Sequence, residues 1–465
     1  MSSLARWKRY TYDLIAAEVS SITHYFDRVI QVAPLAGDTQ ELLARIECQQ
    51  KETASEDSLP DLTSERDRRT AAFLNGNLNH DLHIQGTLRR IGSRLSRNGR
   101  VIVVAYNAYY GWLYRIAVRL GLKEGATPST FVTYADVGNL ARLSGLELVR
   151  ARPAVYCPWR FFGIGHLINA VMPLIPLLRS TALVSILVFR PTKVFTSDNP
   201  SISVIVPARN ERDNIEAAVL RLPDFGAPCE LIFVEGHSTD GTWEEIQRVI
   251  RRHSSRLPIR GFQQSGVGKS DAVRMGFAQA RNEILTILDA DLTMPPENLI
   301  EFYEAYRDGL ADFINGSRLV YPMEGGAMHF LNRLGNVFFA KSLSYVLETA
   351  LGDSLCGTKL VAAHDYARFT TWRNDFGDFD PFGDFELLFP AASLGLGIID
   401  IPVRYRARTY GETNIRRFRH GVMLFKMTMI GLLRLKSGRI PRRAERPAEG
   451  VASATVSPSK RDLEG

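Results

Sequence analysis

Cysteine is scarce: Cys48, Cys157, Cys229 and Cys356 are the only four in 465 residues, and no two form a C-x-x-C pair. That excludes a disulfide-stapled secreted scaffold and the common zinc ribbons, and it fits a reducing compartment. Met1 to Arg9 leads into a mixed polar and apolar segment without a signal-peptide core, so no N-terminal export signal is expected. No internal repeat of fixed period is present. Acids are nearly missing from one stretch: between Arg404 and Arg446, thirteen Lys/Arg face only Glu412 and Glu445. This stretch is +11 within a chain of net +7, so the rest nets −4. Such a basic segment points to a local anionic partner: nucleic acid, anionic lipid headgroups or a phosphorylated substrate.

What is present is an ordinary globular mix, 45% hydrophobic and 23% charged, which excludes wholesale disorder and collagen-like or coiled-coil folds. At roughly 150 residues per domain the length predicts two or three domains. The polar, proline-bracketed segment Pro191–Pro200 separates two apolar-rich regions and is read as a linker. The expected organisation is a first α/β domain over 1–190, a linker over 191–200, a second domain over 201–440 and a disordered tail over 441–465.

In the second region strand patterns alternate with helical ones. Ser201–Val206 is a β-branched run closed by Pro207, Leu231–Val234 a second strand and Ile284–Leu288 a third. Helical spacing follows over Asn214–Leu220 and Trp243–Arg251. Alternation of this kind implies an α/β fold with a largely parallel sheet covered on both faces. Ligands of such sheets bind at the carboxyl ends of the strands. The clusters Ala208–Glu211, Glu235–Asp240 and Asp289-Ala-Asp291 should therefore share one surface. The D-x-D spacing lets two carboxylates reach one hard divalent cation while leaving positions for diphosphate oxygens. Gly266-Val-Gly-Lys-Ser270 imitates a phosphate-binding loop, but the Walker pattern needs glycine where Gln263 stands, which excludes an NTPase site.

From about Ser201 to Lys436 the chain resembles the family 2 inverting glycosyltransferases of the GT-A fold, especially the dolichol- or polyprenol-phosphate sugar synthase branch. The resemblance rests on motifs in order: Val204–Glu211, Val234–Thr242, Gly268–Ala272, Leu288–Leu292, Asn315–Arg318, Cys356–Lys359 and Arg408–Thr413. It implies that Pro207, Glu211 and Glu235 form the nucleoside pocket, Glu235 standing where the family usually has Asp. Lys269 and Asp271 would lie along the donor. Asp289 and Asp291 would hold Mg²⁺ or Mn²⁺ on its diphosphate, stabilising the leaving group.

The same resemblance places acceptor-side acids at Asp378–Glu386. Asp384 is the first candidate general base and Glu386 the second if the acceptor is a hydroxyl. A phosphate acceptor is already anionic and needs no base. Arg318, Arg404, Arg406, Arg408, Arg416 and Arg417 would gather on the acceptor side, where arginine forks suit phosphate oxygens. The expected catalytic set is Asp384, Glu386, Arg318 and Arg408, with Arg318, Arg406, Arg408 and Arg416 on an acceptor phosphate. Gly421–Lys436 is apolar apart from a few cations and too short to span the hydrocarbon, so it reads as a helix lying in the membrane interface.

Residues 1–190 resemble a class I S-adenosylmethionine-dependent methyltransferase that has degenerated. Arg100–Tyr106 looks like one of its strands, and Tyr134–Val149 like the next helix and strand. The strand Arg28–Val32 should lead into a Gly-x-Gly turn but is followed by Ala33-Pro-Leu-Ala-Gly37. A Cβ there blocks the backbone from approaching a cofactor. Lys51–Arg69 is polar rather than strand-like, and no bound S-adenosylmethionine is expected. Phe161–Leu178 lacks all four charged residue types, yet Pro173 and Pro176 argue against a regular spanning helix. A re-entrant or surface-lying hairpin and packing on the catalytic domain both remain open.

These observations converge on a metal-dependent inverting glycosyltransferase, peripherally associated with the membrane on its cytoplasmic side. Its expected partners are a nucleotide-sugar, a lipid-phosphate acceptor and the membrane surface, and no nucleic acid. Two alternatives stay open: a hydroxyl acceptor with Asp384 as base, and a bifunctional glycosyltransferase/methyltransferase.

Overall fold

A computed structural model describes residues 3–35, 40–65, 68–121, 127–192, 199–321, 330–376, 383–406, 410 and 417–436. Two sheets organise them. The first is built from β1 (Arg28–Val32), β2 (Gln50–Ala54), β3 (Thr70–Asn75), β4 (Arg100–Tyr106), β5 (Leu146–Pro153) and β6 (Val184–Pro191), in the order β2-β1-β3-β4-β6-β5. Only β6 runs against its neighbours. The second contains β7 (Ile202–Ala208), β8 (Cys229–Glu235), β9 (Ile259–Gln263), β10 (Ile284–Ile287), β11 (Phe313–Ser317), β12 (Lys359–Ala362) and β13 (Ile398–Pro402). Its order is β13-β11-β12-β10-β7-β8-β9, with β12 antiparallel to β10 and β11. Both sheets are mixed α/β layers with an apolar cluster on each face. That double burial is why their central strands read as continuous β-branched runs.

Two sequence expectations need correction. Pro207 does not close β7, because the strand continues to Ala208 and pairs Pro207 with Val234. The polar stretch after Lys51 contains β2, which pairs in parallel with β1 from the sheet edge. Four of its five side chains are exposed, so no apolar alternation marks it. The Phe161–Leu178 segment folds as a helix over Ile164–Val171 flanked by 3-10 turns, with Pro173 and Pro176 at the turns. Among the described residues no helix is long and apolar enough to cross a membrane.

The sheets are joined through buried arginines. Asp312, just before β11, lies 2.7 Å from Arg100, 3.5 Å from Arg97 and 3.7 Å from Arg190. Arg100 also donates to Gly395 O at 2.6 Å. A second hub surrounds the buried Glu348, with Arg179 at 2.6 Å, Lys436 at 3.1 Å and Arg152 at 3.5 Å. A guanidinium is tolerated in such places only when nearly all its donors are used.

Candidate active site

In the second sheet β7 lies between β8 and β10, and these three strands are parallel. Their carboxyl ends, at a point where the chain leaves to either side of β7, form the crevice in which such sheets bind ligands. Pro207 and Ala208 end β7, Glu235 ends β8, and Asp289 follows β10 by two residues.

On the β7–β8 side backbone and side chains interlock. Asn210 N–H donates to Ser238 Oγ at 2.9 Å and Thr239 N–H to Asn210 Oδ1 at 2.9 Å. Glu211 is buried, accepts from Asn214 at 2.7 Å, and takes its backbone N–H to Thr242 Oγ1 at 3.0 Å. Glu235 is buried as well, accepting from Ser238 N–H at 2.5 Å and Gln263 at 3.2 Å. Beside it Gln264 is buried with its Oε1 unpartnered. Asp240 caps the following helix, Thr242–His253, through Thr242 N–H at 3.0 Å. Its other oxygen accepts from Arg212 N–H at 3.2 Å.

Lys269 opens the helix Lys269–Gln279 and its ammonium donates to Asp289 Oδ1. Burial opposes its charge, yet the nearby Asp289, Asp384 and Asp291 together hold its pKa above the ordinary lysine value. Burial likewise works against the Asp289 carboxylate, but Lys269, with Lys359 and Arg318 further off, keeps it below the usual range. Gly357 closes over this pair: a Cβ there would collide with both Lys269 Nζ and Asp289 Oδ2. Asp291 accepts from the Thr293 hydroxyl at 2.8 Å and Thr293 N–H at 3.1 Å. Asp271 folds back on its own loop, accepting from Gly266 N–H at 3.1 Å. Among the described residues no three metal-type side chains cluster, so a cation here would rest on Asp289 and Asp291 with further oxygens from a ligand.

The acceptor-side residues are placed less uniformly. Asp384 starts the helix Asp384–Ser393, and its Oδ1 accepts from the buried Lys359 ammonium at 2.6 Å. Gly383 before it has φ +82, and a Cβ there would press on Ser270 at 3.2 Å, so the turn carrying Asp384 packs tightly on the helix carrying Lys269. Glu386 is engaged elsewhere, by Arg373 and by Arg274 at 3.1 Å. Arg318 spends its fork on the buried Asp353, at 2.7 and 3.0 Å, with Tyr405 5.4 Å away. Arg404 and Arg406 are exposed, and Arg406 N–H donates to Thr293 O at 2.9 Å, bringing the segment after β13 next to the D-x-D turn. Arg408, Arg416 and the acids at 378 and 380 lie outside the described residues, as does the side chain of Arg417.

Two site residues escaped the sequence reading: Asp353, the partner of Arg318, and Lys359, the partner of Asp384. Lys359 stands in one of the quoted motifs, but only the pairing across 25 positions reveals what it does.

Residues 203–366 match the family model described as Glycosyl transferase family 2. Dolichol-phosphate mannosyltransferases of Pyrococcus furiosus and Saccharomyces cerevisiae are 36% and 37% identical over 122 and 112 residues, 26% and 23% of this chain. The chain spans 33% and 41% of the length of these two relatives. A dolichyl-phosphate hexose transferase of Haloferax volcanii is 27% identical over 228 residues, 48% of this chain and 91% of that one. Among solved structures, glucosyl-3-phosphoglycerate synthase from Mycobacterium tuberculosis, in complex with Mn²⁺, uridine diphosphate and glucosyl-3-phosphoglycerate, is 18% identical. The match covers 50% of this chain and 80% of that one, with a TM-score of 0.36.

Proposed function

We propose that this chain, which carries a family 2 glycosyltransferase domain over residues 203–366, transfers a sugar from a nucleotide diphosphate donor to a polyprenyl-phosphate-like lipid. The carrying observation is the Lys269–Asp289 pair at the carboxyl edge of the second sheet, with Asp291 two residues on and the turn carrying Asp384 packed on the helix that carries Lys269. The names of the curated relatives favour a lipid phosphate as the acceptor.

In this reading an acceptor phosphate oxygen forms the new bond to the anomeric carbon. The bond from that carbon to the donor phosphate oxygen breaks, its electron pair leaves with the nucleoside diphosphate, and the carbon inverts. Glu211 and Glu235, with Pro207 beside them, receive the nucleoside. Lys269 lines the diphosphate, while Asp271 holds the loop before it. Asp289 and Asp291 are hard oxygen donors one residue apart and suit Mg²⁺ or Mn²⁺, which when bound stabilises negative charge on the leaving group. Arg406 is the described candidate to bind the acceptor phosphate, and Arg408 and Arg416 are assigned the same role from the sequence resemblance alone. Arg318, its fork occupied by Asp353, positions the segment carrying Tyr405 rather than the lipid.

The Lys359–Asp384 pair supports a phosphate acceptor over a hydroxyl. Asp384 already balances a buried ammonium, and accepting a proton would leave that charge unpaired. An anionic acceptor avoids the step. We place the reaction at the cytoplasmic face of a membrane, reached by the helix Arg417–Lys436. We read the first domain as methyltransferase-like but without cofactor. The test of the function is to incubate the protein and Mg²⁺ or Mn²⁺ with a panel of labelled nucleotide-sugars and a membrane lipid extract. A labelled, acid-labile lipid phosphosugar is expected. A labelled neutral glycolipid would favour the hydroxyl alternative, and no product with any donor would sink the reading.

A further inference from the structure

The helix Phe330–Leu347 buries Phe339, Leu343, Val346 and Leu347 in one face of the second domain's core, and Arg417–Lys436 buries Leu424 and Met427 in the same cluster. Packed side by side on one core, the two helices turn their opposite faces outward together. Those faces are apolar: Leu334 and Phe338 on the first helix, Val422, Phe425, Met429 and Leu433 on the second are all exposed. The spacing of three or four residues makes each a stripe rather than a scatter.

The first domain extends this stripe. Tyr345, on the first of these helices, donates its hydroxyl to Pro173 O at 3.2 Å and Leu174 O at 2.9 Å. Lys436 sits 3.9 Å over the Tyr345 ring and binds Glu348, which also holds Arg179. The segment so anchored carries Phe162, fully exposed, with Ile164 at 62%, Leu167 at 63% and Leu177 at 88% exposure. Its tip is strained: Phe161 and Phe162 have φ of 38 and 52, a conformation bulky residues rarely adopt. That strain holds the Phe162 ring clear of the protein, while the Phe161 ring packs 5.7 Å from Trp159.

Charge selects the partner. Residues 157–178, 330–347 and 417–436 together contain eight Lys/Arg and no Asp or Glu, and of the eight Lys436 is buried against Glu348 and faces away from any surface. The acid that follows the first helix, Glu348, is buried in its hub, and Asp13 lies 3.7 Å from Arg160 near the tip. An apolar surface with a cationic surround matches an anionic bilayer. A second copy of the chain would meet it with like charge.

We propose that these three segments form one surface that docks on an anionic lipid bilayer, and that the first domain serves the enzyme by supplying the Phe162 tip as a second membrane anchor. The proposal rests on the lipid-acceptor reading for its purpose, but not for its geometry.

The test is flotation of the full chain with phosphatidylcholine vesicles, with and without phosphatidylglycerol. The variants are Phe162→Glu with Leu167→Glu, and Phe425→Glu with Leu433→Glu. All four side chains are exposed, so thermal unfolding should be unchanged and serves as the folding control. The unaltered protein should float with the anionic vesicles, and each pair of substitutions should lower its partition by roughly tenfold or more. Flotation of the Phe162/Leu167 variant equal to that of the unaltered protein would overturn the proposal. So would no flotation of the unaltered protein, or sedimentation as a dimer that this variant breaks. A transfer assay on a short-chain polyprenyl phosphate in detergent separates the two readings: no transfer beside intact, Phe162-dependent flotation would remove the catalytic reading and leave the anchor standing.

Discussion

The carboxyl edges of the two sheets are geometrically alike and chemically opposite. Among the described residues, β1, β3 and β4 of the first sheet end against neutral side chains of the protein itself. Asn77 donates to Ala33 O at 2.7 Å, and Asn79 accepts from Tyr106 N–H at 2.8 Å. Tyr106 stacks on Tyr114 at 4.9 Å, and Tyr114 on Phe131 at 6.0 Å. A Cβ on Gly76 would already lie 2.8 Å from the Tyr106 hydroxyl. At the second sheet the equivalent edge gathers Glu211, Glu235, Lys269, Asp289 and Asp291. The contrast teaches that the same layer architecture fixes where a site can be, while the side chains at each edge set what chemistry it could hold.

The sharpest way to break this contrast is to remove charge from the second edge. Asp291→Asn should lower sugar transfer by roughly 10³-fold, since a metal's stabilisation of the leaving group is worth several kcal/mol. Unfolding should change little. Initial rates with saturating donor and metal would check it, and unchanged turnover would remove the D-x-D assignment.

Charges at the boundary between the sheets should act on stability instead. Arg100→Met removes the nearest guanidinium from the buried Asp312, leaving Arg97, Arg190 and Gly397 N–H, and should cost about 3 kcal/mol of unfolding free energy. The same pair makes stability depend on acid. Burial opposes the Asp312 charge, but Arg100, Arg190 and Arg97 hold its carboxyl well below the usual range. Its contribution is therefore complete above about pH 4, the ordinary carboxylate value, and is lost as pH falls through the lower folded value. Asp312→Asn should flatten that acid limb in denaturant titrations below pH 4.

Within the second edge, the acceptor-side residues should separate. Arg406→Ala and Arg408→Ala should each lower transfer to a lipid phosphate by roughly ten- to a hundredfold, the loss of a charged hydrogen bond. Asp384→Asn, corrected for its folded fraction because Lys359 loses its partner, should cost less. Donor-binding controls make the ranking readable, and the reverse order would favour the hydroxyl acceptor. The smallest effect belongs to the first edge: calorimetry with S-adenosylmethionine should register no binding, and a micromolar affinity would revive the bifunctional alternative.

How far all this was legible depends on the range of the interaction. The runs Arg28–Val32 and Arg100–Tyr106 coincide with β1 and β4, and the runs read for β7, β8 and β10 fall within two residues of their ends. Their apolar β-branched residues are set by burial on both faces, which is local information. β2 was missed because an exposed edge strand has no apolar pattern to display. The D-x-D turn was visible because both acids lie in one turn. The pairs Arg318–Asp353 and Lys359–Asp384 join residues 35 and 25 apart through strand order, and no local pattern encodes them. Glu386 had the residue type of a base but sits between Arg274 and Arg373. Residue type named candidates, and partners sorted them.

One comparison tests the central claim directly. With the donor sugar identified, the protein is given polyprenyl phosphate in one reaction and the polyprenol of equal length in another, each with Mg²⁺ or Mn²⁺. Labelled sugar should appear on the phosphate and not on the alcohol, and Asp291→Asn should remove it. Equal or preferential labelling of the alcohol, or transfer that survives Asp291→Asn, would contradict the assignment of the second sheet's charged edge to a metal-assisted transfer onto lipid phosphate.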